Sequence, residues 1–215
     1  METTIITVAF QLAILIFSVV VHEVSHGLAA NALGDQTAKY AGRLTLNPIS
    51  HLDPVGSVLV PLASFLLGGI IIGWAKPVPY NPANLRVKNQ DIGSAVVGAA
   101  GPTANIAIAL VFGLALRSAA AWAPALGGAA PALMEIMGAI VLVNLVLAVF
   151  NFVPIPPLDG SKVLFSILPA QWQGLRFSLE RFGFLLLLIF IFYFSQWIIP
   201  IVRFLFGIIT GMEPF

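Results

Sequence analysis

An all-α polytopic membrane protein, with short extended or re-entrant segments beside its polar residues, is the fold class this sequence predicts. Composition is the first reason. Of 215 residues, 59% are hydrophobic and 9% are charged, whereas a soluble domain is about 45–50% apolar and about a quarter charged. So few polar residues cannot coat a water-facing surface, and the natural solvent is lipid. The second reason is length: five apolar stretches approach the ~20 residues that a helix needs to cross the hydrocarbon. The third is what lies between them, where proline-rich runs break the helical pattern.

The first stretch, Thr4 to Leu33, follows an N-terminus without the basic n-region of a secretory signal, so it is expected to stay in the mature protein. Gln36 to Asp53 comes next. Tyr40, Arg43 and Thr45 alternate there and predict short extended structure. Val55 to Trp74 is the second apolar stretch. Lys76 to Lys88 holds Pro77, Pro79 and Pro82 and reads as extended. Irregular backbone at membrane depth is tolerated only where protein or water satisfies it, so both irregular segments are expected to line a cavity. Ile92 to Leu116 and Ala132 to Phe152 are the third and fourth stretches. Phe182 to Met212 is the fifth, expected to break at Pro200 and Arg203 into one span and a tilted or half-length helix. No internal repeat or linker divides the chain, so residues 1–215 read as a single integral membrane domain.

Charge sets the expected orientation. Lys39, Arg43, Lys76, Arg86, Lys88, Lys162, Arg176 and Arg181 fall in three loops, while the loop after Leu116 holds only Arg117. The basic loops are therefore expected in the cytoplasm. Val55 to Trp74 must then enter and leave on one side, as a re-entrant segment bent at Pro61 or Gly68-Gly69; a kinked plain span is the alternative. The net charge of +1 gives no reason to expect nucleic acid. The absence of cysteine excludes disulfides, thiolate catalysis and cysteine-ligated metals.

Residues 22 to 26 read H-E-V-S-H. On a helix His22 and His26 are one turn apart on one face, able to hold one Zn²⁺, and Glu23 is placed to take a proton from water. Ionisable residues in an apolar helix are costly and point to function by default; a polar cluster without metal is the bland alternative. A catalytic zinc site usually has a third protein ligand. The candidates are His51, Asp35, Asp53, Asp91, Asp159, Glu135 and Glu180. Asp159 ends the run N-F-V-P-I-P-P-L-D-G, residues 151–160, which the prolines are expected to hold straight toward the metal. Asp159 as an N-cap for Ser161 to Leu168 fits the spacing equally well.

H-E-V-S-H, G-P-T-A-N at 101–105 and N-F-V-P-I-P-P-L-D-G together resemble the site-2 protease family of intramembrane zinc metalloproteases. N-P-I-S-H-L-D-P at 47–54 and A-K-P-V-P-Y-N-P at 75–82 are similar to its short branch, without accessory sensing domains. The resemblance implies zinc held by His22, His26 and Asp159, with Glu23 catalytic and Asn151 in substrate or transition-state contacts. It implies hydrolysis of peptide bonds of transmembrane substrates, with one zinc ion per chain. The expected partners are a transmembrane protein substrate and the lipid bilayer, with a homo-oligomer or a regulatory membrane partner left open. The expected location is the cell or inner membrane, multi-pass, with the active site toward the cytoplasm. Because His26 ends the first span and Asp159 follows the fourth, a shared ion also requires both on one leaflet.

The remaining polar residues have competing readings. Asn151 suits either an oxyanion donor or a helix C-cap, and Asn105 a bond across helices. Gly98 and Gly101, with Ala95 and Ala99, form a small face for helix contact, and Pro102 is expected to bend that helix. His51 and Asp53 suit loop capping better than a role at the site. Trp74, Trp172 and Trp197 suit the membrane interface. Tyr40 to Leu46 or Val78 to Asn81 is a candidate edge for an unwound substrate. A metal-ion transporter and a proteolytically silent scaffold are the competing functions.

Overall fold

The structure, a computed structural model, describes residues 2–59 and 75–213. Among these the principal helices are α1 (Glu2–Ala32), α2 (Gln90–Arg117), α3 (Ala119–Leu126), α4 (Ala130–Asn151), α5 (Gly160–Ile167), α6 (Gln173–Ile189) and α7 (Ile198–Thr210). Four helical stretches are long and apolar enough to cross a membrane: Ala9–Ala32, Gln90–Arg117, Ala119–Asn151 and Gln173–Thr210. No strand occurs among the described residues, so the all-α polytopic expectation is met.

Helices α1 and α4 run one way and α2 runs the other. Ser18 of α1 meets Asn105 of α2 and Asn144 of α4, while His26, two turns further along α1, meets Val97, two turns back along α2. The end of α1, the start of α2 and the end of α4 therefore share one end of the bundle. The apolar core lies toward the other end, where Ala109 and Leu116 pack with Met137, Val141 and Leu145 and with Val202, Phe206 and Ile209 of α7. Gly113 lets α7 pack close to α2, because a Cβ there would overlap the Ile209 side chain.

The chain leaves and rejoins the bundle at the site end. Arg86 N–H donates to the Leu33 carbonyl at 2.7 Å, and Ala30, Leu85 and Val97 form a second buried cluster. Lys76 N–H donates to the His51 carbonyl at 2.9 Å. The segment after α1 thus returns to the face it left. Beyond Leu59, the re-entrant course expected for Val55 to Trp74 lies outside the described residues, as does Trp74.

Three local expectations need correction. Lys76 to Lys88 is not extended throughout: Pro82–Asn84 form a 3₁₀ turn, which the Asn81 side chain starts by accepting from Ala83 N–H at 3.0 Å. Gln36 to Asp53 is not extended throughout: Thr37–Tyr40 and Pro48–His51 are helical turns. Side chains start both, since Asp35 accepts from Thr37 N–H at 3.1 Å and Asn47 from Ile49 N–H at 3.1 Å, overriding the alternating pattern. The last stretch breaks upstream of Pro200. A widened π-type turn over Phe190–Phe194 and a 3₁₀ turn over Ser195–Trp197 separate α6 from α7. Pro200 lies in the first turn of α7, where a helix does not use the missing N–H. α6 and α7 together make one pass: Arg176 pairs with Asp91 at the site end, and Arg117 donates to the Ile208 carbonyl at the other.

Candidate metal centre

His22 and His26 lie on the buried face of α1 and are 6% and 7% exposed. Their Nε2 atoms are each 3.1 Å from Oδ2 of Asp159. Among the described residues these three form a group whose donor atoms all lie within 4.8 Å of one another. The alternative reading of Asp159 fails: it occupies the cap position of α5, yet its side chain makes no capping bond.

The segment that delivers Asp159 is not a straight run. Ile155 N–H donates to Val153 at 2.8 Å and Leu158 N–H to Ile155 at 2.9 Å, so residues 152–159 fold as successive tight turns. Proline's fixed φ suits such turns as well as an extended run. Gly160 permits the return, because a Cβ there would overlap the Phe152 carbonyl. Lys162, one turn into α5, places Nζ 2.9 Å from Asp159 Oδ1 and 5.4 Å from the Tyr80 ring centre. Burial acts to raise the Asp159 carboxyl, while the Lys162 ammonium beside it acts to lower it.

The outer nitrogens decide what the inner ones can do. His26 Nδ1 lies 2.7 Å from the Val97 carbonyl, which only accepts, so this nitrogen donates. Asn105 Nδ2 donates to the Ser18 carbonyl at 3.2 Å, which turns Asn105 Oδ1 toward His22 Nδ1 at 2.6 Å. His22 therefore also donates outward. Both Nε2 lone pairs then point at a carboxylate, an arrangement that needs either extra protons or a cation. A tetrahedral zinc with ~2.0–2.1 Å bonds sets its donors about 3.3 Å apart, which the 3.1 Å separations match closely. Outward bonds from ligating imidazoles to oxygen are the usual support of such a site. The donor set fits zinc.

A cavity of 160 Å³ opens beside these atoms, lined by His22, Glu23, His26, Val78, Asn151 and Lys162 among others. Glu23 Oε2 accepts from Val78 N–H at 2.8 Å, which fixes the carboxylate at the wall. Asn151 ends α4 at the same cavity, with Nδ2 donating to the Leu147 carbonyl at 2.9 Å. Among the other candidates, His51 donates to the Thr45 carbonyl at 2.9 Å and holds the loop. Asp53 accepts from Val55 and Gly56 N–H. Asp91 and Glu180 both pair with Arg176, and Glu135 is exposed on α4. Asp35 is a structural hub, accepting from Thr37, Asn81 and Asn84. Of the two candidate substrate edges, Tyr40 to Leu46 begins in a turn. In the other, Val78 N–H is held by Glu23 and Asn81 N–H by Asp35, which leaves Tyr80 as donor.

Sequence reasoning missed the contributions of Ser18, Asn144, Lys162 and the Val97 carbonyl. A polar Asn in the middle of the fourth stretch was the available signal. Gly101 has a reason beyond a small helix face: a Cβ there would lie 2.5 Å from His26 Nε2.

The sequence profile of Peptidase family M50 matches residues 126–194. The chain is 36% identical over 176 residues to the candidate zinc metalloprotease YwhC of Bacillus subtilis, covering 81% of this chain and 76% of that protein. It is 31% identical to the candidate zinc metalloprotease Rip2 of Mycolicibacterium smegmatis over 81% of this chain and 63% of that one. For Rip2 of Mycobacterium tuberculosis the identity is 28%, over 80% of this chain and 62% of the relative. The chain thus spans under two thirds of the length of Rip2. No solved structure matches it.

Proposed function

Because the chain belongs to Peptidase family M50, the site-2 protease family, we propose that it hydrolyses peptide bonds of transmembrane substrates within the bilayer, with Glu23 as general base. The observation that carries this reading is the meeting of His22, His26 and Asp159 beside Glu23 in one cavity. Zinc held by these three residues would polarise the scissile carbonyl and make water acidic near neutral pH. Glu23 keeps Oε2 on Val78 N–H, so its other oxygen is the one that takes a proton from water and returns it to the departing amine. Asn151 gives one amide hydrogen to Leu147, and its second is the donor for the developing oxyanion.

The setting supports the reading. Arg86, Lys162 and Arg176 gather at the site's end of the bundle, and under the positive-inside rule this supports an active site toward the cytoplasm and its water. A transport path is not favoured: Asn105 and Asn144 bond to each other, to Ser18 and to His22.

Glu23→Gln tests the proposal. Zinc content should be retained, and cleavage of a membrane-embedded peptide should fall by about 10²–10⁴-fold, the usual worth of a general base. A variant that cleaves normally would remove Glu23 from the chemistry. Metal transport by a chain that never cleaves would replace the protease reading altogether.

A further inference from the structure

A chain of buried hydrogen bonds reaches the metal centre from α4, outside the ligands and the cavity. We propose that Asn144 and Ser18 are positioning residues: they set which way the Asn105 amide faces, and through it how the His22 ring is presented to the ion. The proposal rests on the zinc reading above.

The direction of every bond in this chain is fixed by main-chain carbonyls. Asn144 Nδ2 donates to the Ile140 carbonyl at 2.8 Å and to Ser18 Oγ at 2.9 Å. A carbonyl only accepts, so the Asn144 nitrogen must face it and Oδ1 must face Asn105. Asn105 Nδ2 donates to that oxygen at 2.8 Å and to the Ser18 carbonyl at 3.2 Å. Both donors of Asn105 are then engaged on one side, and its oxygen is left for His22 Nδ1 at 2.6 Å. Asn105 and Asn144 are 0% exposed and Ser18 is 5%. In an apolar surrounding a half-satisfied amide is costly, so the network holds one arrangement rather than two.

Simple adhesion between helices would need only the bonds among Asn105, Asn144 and Ser18. It would not need the remaining Asn105 acceptor to meet a ligating imidazole. The two roles therefore differ in what they move: adhesion affects the stability of the metal-free chain, and positioning affects how the metal is held.

The experiment uses the full chain in detergent, stripped of metal. Zn²⁺ affinity is measured by chelator competition, the Co²⁺ absorption spectrum reports ligand geometry, and thermal unfolding reports stability of the metal-free form. Changes behind a metal ligand typically cost 10–100-fold in affinity. Asn144→Leu, one bond further out, should weaken Zn²⁺ binding about tenfold and shift the Co²⁺ spectrum. Ser18→Ala removes a single hydroxyl, should fold even if Asn144→Leu does not, and should weaken binding a few-fold. If both folded variants, or Ser18→Ala alone where Asn144→Leu does not fold, bind Zn²⁺ as tightly as the unsubstituted chain with the same Co²⁺ spectrum, the positioning role is overturned and the protease reading stands. If the unsubstituted chain binds no Zn²⁺, the protease reading fails first.

Discussion

A methyl group added at Gly101 would lie 2.5 Å from His26 Nε2 and 2.7 Å from His22 Nε2, in the space where the ligand atoms converge. Alanine is the better helix former by about 1 kcal/mol, so Gly101→Ala opposes two effects in one residue. The metal-free chain should unfold at the same or a higher temperature, while Zn²⁺ affinity should fall by at least about tenfold, as for disturbed supports of a metal ligand. Undiminished zinc content by elemental analysis would show that the rings give way. At this scale the sequence was informative where chemistry sits within about one helical turn, as in His22, Glu23 and His26. It was not informative about Gly101, whose small size reads as helix packing until the imidazoles opposite it are known.

The connections between helices depend on side chains that bond their own backbone. Asp35 is 0% exposed and ties the end of α1 to the loop before α2 through Thr37, Asn81 and Asn84. Burial pushes its carboxyl up, but the Thr37 hydroxyl, the Asn84 amide and two backbone N–H groups outweigh this and hold it below the usual carboxylate range. The unfolded chain therefore takes up this proton first as pH falls. The stabilisation is present above the unfolded value, near pH 4, and is lost as pH falls through the lower folded value. Asp35→Asn should lower stability by about 1–3 kcal/mol at pH 7, and the gap from the unsubstituted chain should narrow below about pH 4. A gap that stays constant with pH in detergent unfolding scans would show that the charge is not involved. The same kind of local bond explains why Gln36 to Asp53 was misread as extended. Alternation along a sequence reports two faces, while the carboxylate at 35 and the amide at 47 start helical turns regardless of them.

Over the whole molecule, α1 ends and α2 begins at the same face, and α6 with α7 crosses once. Single cysteines introduced into this cysteine-free chain test the arrangement. Asn81→Cys should react with an impermeant thiol reagent only from the cytoplasmic side, and Arg117→Cys and Glu213→Cys only from the opposite side. Labelling of positions 81 and 213 from one side would break the single pass. The apolar spans were legible from length and composition, because lipid imposes both. The bonds of Asn144 with Ser18 were not, since residues far apart in sequence meet only once α1 and α4 are side by side. That separation also governs how the protein is made. The imidazoles at 22 and 26 enter the membrane early in synthesis, while the carboxylate at 159 emerges only after α4. A nascent chain therefore carries two of these three clustered donors through most of its insertion, and the group is complete only once the carboxylate follows.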